Sequence, residues 1–241
     1  MTLDPHHDPM GQAVTDYLDK KPLKKLRVLS SKFYEDEMPI PYLFRTYDQM
    51  PHIEQTALNM CQGKTLDIGA CAGCHSLCLQ QRGLDVTAAD ISPLSVEAMK
   101  RRGINKVLLA DMFADPLGSD YDTVLLLMNG TTIAGTIGRM PLFLQKLKAL
   151  IKPQGQILID STDIRYIYED EDGNFSYDGS DYYGQVDYRM QYGKVRGERF
   201  DCLYVDPHTM REMAHGEGLN FEIVAHNDEG AYLMRLTLPA K

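Results

Sequence analysis

The sequence predicts an α/β protein with a doubly wound, mostly parallel sheet. Three observations point there. From about residue 63 to 165, short apolar segments alternate with amphipathic ones, as strands and helices do in consecutive βαβ units. The segment "YDTVLLLMNG", residues 121 to 130, has the continuous apolar centre of a parallel strand buried on both faces. Asp67, Asp90, Asp111, Asn129 and Asp160 each stand at or near the carboxyl end of a predicted strand, where open α/β sheets bind ligands.

The elements follow in order. "PMGQAVTDYLDK" predicts a helix with Val14, Tyr17 and Leu18 on one side, and "PIPYLFRTYDQM" opens with a double-proline break. "PHIEQTALNMC" predicts a helix with Pro51 at its first position and Ile53, Thr56, Ala57 and Met60 facing the sheet. Residues 1–62 thus form a helical segment ahead of a domain spanning 63–241. In that domain, Thr65 to Ile68 form the first strand, and the helix after it ends at Gly83. Val86 to Ala89 form the second strand. Ser92 caps the next helix, with Pro93 at its first position and Gly103 at its end. "NKVLLAD" is the third strand. "RMPLFLQKLKALIKPQG" is a helix with Leu142, Phe143, Leu147, Leu150 and Ile151 apolar, and "QILIDST" is the fifth strand. Residues 163–205 read as an insertion: an acidic, tyrosine-rich loop, then a hairpin whose strands "QVDYRMQYG" and "ERFDCLYVD" flank "KVRG". A helix over "PHTMREMAHGEG" comes next.

Composition narrows the function. The chain has 241 residues, 44% hydrophobic and 24% charged, as in ordinary globular proteins. Its net charge of −9 argues against nucleic acid as a partner. No apolar run approaches the ~20 residues that span a bilayer. The first residues have neither a basic start nor an apolar h-region, so a cytoplasmic location is expected, with no membrane association. The five cysteines form no disulfide-like framework and fit a reducing compartment.

Cys71-Ala72-Gly73-Cys74-His75, with Cys78 following, matches the attachment pattern of a c-type haem and places three cysteines within eight residues. They fall on the turn and first helix of a strand–turn–helix–strand unit, where small residues pack. No metal is expected, because Cys74 and Cys78 on one helix face would still need further ligands.

"LDIGACAG", followed by "AADIS" and "LLADM", resembles the Rossmann-like S-adenosylmethionine-dependent methyltransferases. Their first turn reads Asp/Glu-x-Gly-x-Gly-x-Gly, and here Asp67-x-Gly69-x-Cys71-x-Gly73 departs from it at Cys71. "MPHIEQTALNMCQGKTLDIGACAGCHSL" is also similar to a group of small uncharacterised bacterial members. The resemblance implies a seven-stranded sheet, with "LNFEIVAHNDEGAYLMRLTL" as its antiparallel C-terminal hairpin and residues 1–62 as a lid over the cofactor. It implies S-adenosyl-L-methionine as cofactor and methyl transfer, and the acidic balance of the chain favours a small-molecule acceptor. Asp67, Gly69, Ala70 and Gly73 would line the methionine and ribose part. Asp90 would hold the ribose hydroxyls, with Ile91 against the adenine. Asp111 would accept from the adenine amine beside Met112, and Asn129 would approach the methionine amino group and the transferred methyl. Arg45, Tyr47, Glu54 and Asp163 are expected on the substrate side by position, as is the insertion. His52, Glu54, Asp160 and Asp163 are positional candidates for a general base, whereas His75 reads as structural.

An NAD(P)-dependent oxidoreductase is the rival reading. Its turn needs Gly-x-Gly-x-x-Gly, which "GACAGC" does not supply, and Asp67 would repel a pyrophosphate. A non-catalytic module that binds adenosylmethionine is the third.

Overall fold

The computed structural model describes residues 2–239. In chain order its elements are α1 (Pro9–Leu18), β1 (Leu26–Leu29), β2 (Asp36–Glu37), α2 (His52–Met60), β3 (Lys64–Ile68), α3 (Cys74–Gln81), β4 (Asp85–Asp90), α4 (Pro93–Arg101), β5 (Lys106–Leu109), β6 (Tyr121–Leu126), α5 (Met140–Leu150), β7 (Ile151–Thr162), β8 (Gln185–Tyr192), β9 (Val195–Leu203), α6 (Pro207–Gly216), β10 (Asn220–His226) and β11 (Ala231–Thr237). Side-chain caps set several helix starts. Asp8 accepts from the Gly11 N–H before α1, Ser92 from the Ser95 N–H before α4, and Asp206 from His208 and Thr209 before α6.

Seven strands lie in the order β10-β11-β7-β6-β3-β4-β5. β3 to β7 are parallel, and β11 and β10 close one edge antiparallel. Alternation along β6 sends Leu125 to one face, under Ala57 and Leu58 of α2 and Leu79 of α3. It sends Val124 and Leu126 to the other, under Phe143, Leu144 and Leu147 of α5 and Met210 and Ala214 of α6. The expected doubly wound sheet with an antiparallel C-terminal hairpin is therefore present.

Several boundaries differ from the sequence reading. The helix expected through residue 155 stops at Leu150, and Ile151 is extended (φ −90°, ψ 150°) and opens β7. Pro153 disfavours helical geometry at Lys152 and has no N–H to continue the ladder. β6 ends at Leu126 because Met128 and Asn129 both take positive φ (68° and 63°) and turn the chain. The hairpin turns at Gly193 and Lys194, so Val195 to Gly197 belong to β9.

The N-terminal segment contains, besides its helices, two strands that the pattern did not disclose. β1 pairs with β2 and with β8, giving a second, four-stranded antiparallel sheet in the order β2-β1-β8-β9. The insertion and the N-terminal segment are thus joined by backbone hydrogen bonds.

All five cysteines are free. Cys74 lies in the core between α2, α3 and β4, with Cys61 and Cys78 packed against it. Among the described residues no group of three or more His, Cys, Asp or Glu is placed to hold a metal ion. No helix among them is long and apolar enough to cross a membrane.

Gly73 opens α3 at φ +75°, and a Cβ there would stand 2.3 Å from Ile104 Cδ1 and 3.0 Å from Met99 Cγ. Gly83 has φ +86° but open space around it. Gly83→Ala should cost about 1–2 kcal/mol of unfolding free energy from left-handed strain alone. Gly73→Ala should cost roughly 1–3 kcal/mol more, because the overpacked Ile104 must move. Urea unfolding of both variants measures the difference, and equal losses would show that Ile104 yields without cost.

Candidate active site

The turn between β3 and α3 is folded over the carboxyl ends of the central strands by β4. The N–H groups of Gly69 and Ala70 both donate to the Ala89 carbonyl, at 2.9 and 3.1 Å. Cys71 takes φ +50°, and its N–H donates to Asp90 Oδ2 at 2.8 Å. The other Asp90 oxygen accepts from the Ser92 N–H at 2.8 Å. Asp90 therefore braces the turn, and burial raises its pKa to about 6.

A cavity of about 600 Å³ lies over this turn, within the roughly 300–1,000 Å³ of small-molecule sites. Residues 67–72 and 127–130 line it together with His75, Asp160 and Thr162. Tyr42, Leu43, Ile53 and Glu54 of the N-terminal segment form one wall. Val28, Asp36, Tyr188, Met190, Phe200, Cys202 and Tyr204, all from the four-stranded sheet or its flank, form the roof.

Beside the cavity three charged side chains are buried together. Arg45 donates to both carboxylate oxygens of Glu54, at 2.7 Å to Oε1, and His75 Nε2 lies 2.6 Å from Glu54 Oε2. The Arg45 guanidinium stacks 3.4 Å over the Tyr42 ring. Burial disfavours the charged Glu54, but His75 and Arg45 outweigh it and hold its pKa below the ordinary value. Burial also disfavours a charged His75, but Cys74, Glu54 and Asp67 outweigh it and raise its pKa well above 6.5. Each shift favours the charged form, so the cluster favours an ion-paired Arg45–Glu54–His75 arrangement.

Two other buried carboxylates have only neutral partners. Asp67 accepts from Ser76 Oγ at 2.5 Å, and burial raises its pKa. Asp160 accepts from the Gly130 N–H at 2.9 Å, and burial raises its pKa to about 6. Asn129, which also lines the cavity, accepts from Thr162 Oγ1 through its Oδ1 at 2.7 Å.

Of the residues singled out in the sequence, the cavity collects Asp67, Gly69, Ala70, Asn129, Glu54 and Asp160. Gly73 lies behind the turn, against Ile104 and Met99. Asp90, Ile91, Asp111 and Met112 sit outside this lining, along the ends of β4 and β5. Ile91 is partly exposed and its carbonyl accepts from the Leu3 N–H at 2.9 Å. Asp111 accepts from the Phe113 N–H at 2.9 Å, and Met112 is buried in the core. Arg45 stands behind Glu54. Tyr47 donates to Asn59 at 2.9 Å under the Arg82 guanidinium, and Asp163 accepts from Tyr183 Oη at 2.7 Å. Neither lines the cavity, and His52 is exposed on α2. The sequence reading missed Tyr42, the pairing of His75 with Glu54 and the whole roof contribution of residues 28–38.

Over its full length the chain matches a crystal structure of a SAM-dependent methyltransferase from Bacteroides fragilis in complex with S-adenosyl-L-homocysteine. Identity is 46%, the TM-score is 0.94, and the match covers 100% of this chain and 98% of that one. The chain belongs to the S-adenosylmethionine-dependent methyltransferases. A family model described as a methyltransferase domain matches residues 66–159. The CcbJ methyltransferase from Streptomyces caelestis (14% identity, TM-score 0.62, covering 80% of this chain and 95% of that one) shares the fold. So does an S-adenosylmethionine-dependent methyltransferase from Clostridium acetobutylicum (11% identity, TM-score 0.61, 80% and 94% covered). A search among curated proteins found no match.

The donor set of this methyltransferase fits a sulfonium cofactor. Asp67 and Asp160 are buried carboxylates with neutral hydrogen-bond partners, at the edge of a cavity floored by a turn that lets backbone approach closely. A pyrophosphate would meet repulsion there.

His75 offers a stability test. Its folded pKa lies above the unfolded value, so the charged ring stabilises the fold fully below about pH 6.5, and this is lost as pH rises through the folded value. The melting-temperature deficit of His75→Gln relative to the native methyltransferase should be largest near pH ~6 and narrow towards pH ~9. A constant deficit, read by scanning calorimetry, would remove the charge from the account.

Proposed function

We propose that S-adenosylmethionine binds with its methionyl end over the 67–73 turn and transfers its methyl group to a small-molecule acceptor in the space beneath the four-stranded sheet. The observation that carries this reading is the pair of buried carboxylates, Asp67 and Asp160, facing a cavity walled on the other side by aromatic and apolar side chains. Bound there, the cofactor supplies an electrophilic methyl group. The chain's own groups orient and exclude water: Asp67 and Asp160 offset positive charge, Asn129 in the lining meets the methionine amino group and the transferred methyl, and Asp90 at the end of β4 accepts from the ribose hydroxyls. Ile91, Asp111 and Met112 take the adenine along the ends of β4 and β5. Positioning of this kind is worth roughly 7–11 kcal/mol of barrier in well-oriented systems. The free cysteines support a reducing, cytoplasmic setting.

Calorimetry with S-adenosylmethionine, S-adenosylhomocysteine and NAD tests the reading. The first two should bind and NAD should not. In the free protein Asp90 and Asp160 titrate near pH 6 because burial disfavours their charge. A ligand that favours the ionised forms binds more tightly as pH rises through that value, by about tenfold between pH ~5 and ~7 for each carboxylate required. S-adenosylhomocysteine lacks the sulfonium charge and should show the smaller pH dependence. Tight NAD binding without a S-adenosylmethionine signal would sink the proposal.

Asp90→Asn keeps the shape but can no longer accept from both backbone N–H groups and the ribose. It should weaken both adenosyl ligands by roughly ten- to hundredfold, at about 1.5–3 kcal/mol for the charged hydrogen bond lost. A loss of melting temperature without loss of affinity would confine Asp90 to the turn.

A further inference from the structure

The roof of the cavity has a chemistry that the cofactor does not explain. Five carboxylates line the cavity, on Asp36, Glu54, Asp67, Asp160 and Glu229, and among the described lining residues none is lysine or arginine. Only Glu54 has cationic partners, Arg45 and His75. S-adenosylmethionine carries a sulfonium, an ammonium and a carboxylate, a net charge of plus one, and its methionyl end is assigned to the floor beside Asp67 and Asp160. Asp36, on the roof, and Glu229, in the turn joining β10 to β11, are left at the exposed side without an ion-pair partner among the described residues.

An aromatic corner lines the same cavity. Tyr188 and Phe200 are cross-strand neighbours on β8 and β9, with ring centroids 6.4 Å apart and inclined at 66°. Tyr204 meets Tyr188 at 6.4 Å and 90°, and their hydroxyls lie 3.1 Å apart. Asp36, Val28 and Met190 form the adjoining cross-strand row on the same sheet. Burial raises the pKa of both tyrosines, so the rings are neutral and offer π faces. Such faces attract an organic cation, the apolar Met190 and Val28 accept its hydrocarbon body, and the two carboxylates draw it in. An anionic acceptor would meet an uncompensated acidic cavity.

We propose that the acceptor of this methyltransferase is an organic amine, drawn in as its ammonium form by the Tyr188–Phe200–Tyr204 corner with Asp36 and Glu229. The ammonium gives its proton to solvent at the exposed Asp36 and Glu229 side. The freed nitrogen lone pair then forms the bond to the sulfonium methyl, the carbon–sulfur bond breaks with its electrons left on the sulfur of S-adenosylhomocysteine, and the product is the methylated ammonium. The inference rests on the assignment of the floor to the cofactor.

The test uses the full chain saturated with S-adenosylhomocysteine and three probes of matched size: 2-phenylethylamine, 2-phenylethanol and 3-phenylpropionate. Calorimetry should show the amine binding at least tenfold more tightly than the alcohol, and the carboxylate most weakly. Tyr188→Phe keeps the ring and should stay within about twofold for the amine, whereas Tyr188→Leu should lose about tenfold, within the cation–π range. Asp36→Asn combined with Glu229→Gln should weaken the amine three- to tenfold and remove most of the salt dependence of its binding. S-adenosylhomocysteine affinity should not change in any of these variants. No measurable amine binding, equal affinity for the three probes, or preference for the carboxylate overturns the proposal, as does a Tyr188→Leu variant with native amine affinity. Failure of S-adenosylhomocysteine itself to bind would instead count against the cofactor assignment, and is read separately in the same titrations.

Discussion

The carboxylate of Glu54 is the constraint on which the active-site side of the molecule depends. It joins the loop that carries Arg45 and Tyr42, the helix before the first parallel strand, and the helix after it through His75. Removing one partner of a buried ion pair typically costs about 3–5 kcal/mol, a large part of the roughly 5–15 kcal/mol that holds a domain folded. The favourable terms are the Coulomb attraction and hydrogen bonds among the three groups. The opposing term is their common loss of water. The balance holds only while all three are present, so the N-terminal wall of the cavity and the cofactor turn keep one relative position.

That position matters because the turn itself is assembled from outside. Its backbone donors are taken up by Ala89 and Asp90 of the neighbouring strand, and the left-handed residue in its middle is a cysteine. Glycine adopts that conformation at no steric cost, whereas a side chain there costs about 1–2 kcal/mol. The hydrogen bond from Cys71 to the Asp90 carboxylate offsets some of it. The departure from the glycine pattern is thus accommodated by the same carboxylate that is proposed to meet the ribose.

Much of this architecture was legible because it follows from local rules. The continuous apolar run of the central strand, Ser92 before Pro93, and the aspartates at strand ends are short-range signals. The N-terminal strands were not legible. "LRVL" is four residues long, and β2 is two residues of acid. Their identity as strands comes from pairing with Gln185–Tyr192, far away in the chain, and no local propensity encodes a partner. The same limit hid the Glu54 cluster: Arg45, Glu54 and His75 share no helical or strand period. It also explains why Tyr47 and Asp163, near the site in sequence, point to Asn59 and Tyr183 instead.

The long-range pairing of β1 with β8 has a consequence for the order of assembly. Leu29 and Arg189 are register partners separated by about 160 residues, and nearly the whole parallel core lies between them. Closing so large a loop from an open chain is entropically unfavourable, but once the core has docked its helices the two ends are already close. The small sheet therefore belongs to the last stage of folding. During synthesis residues 185–203 emerge before α6 and β11, whose Met210, Ala214, Met234 and Leu236 complete the core, so a chain whose core closes first keeps its cofactor cleft open until the small sheet pairs. Cofactor present at that moment would meet an unroofed cleft, and the cover would close around it.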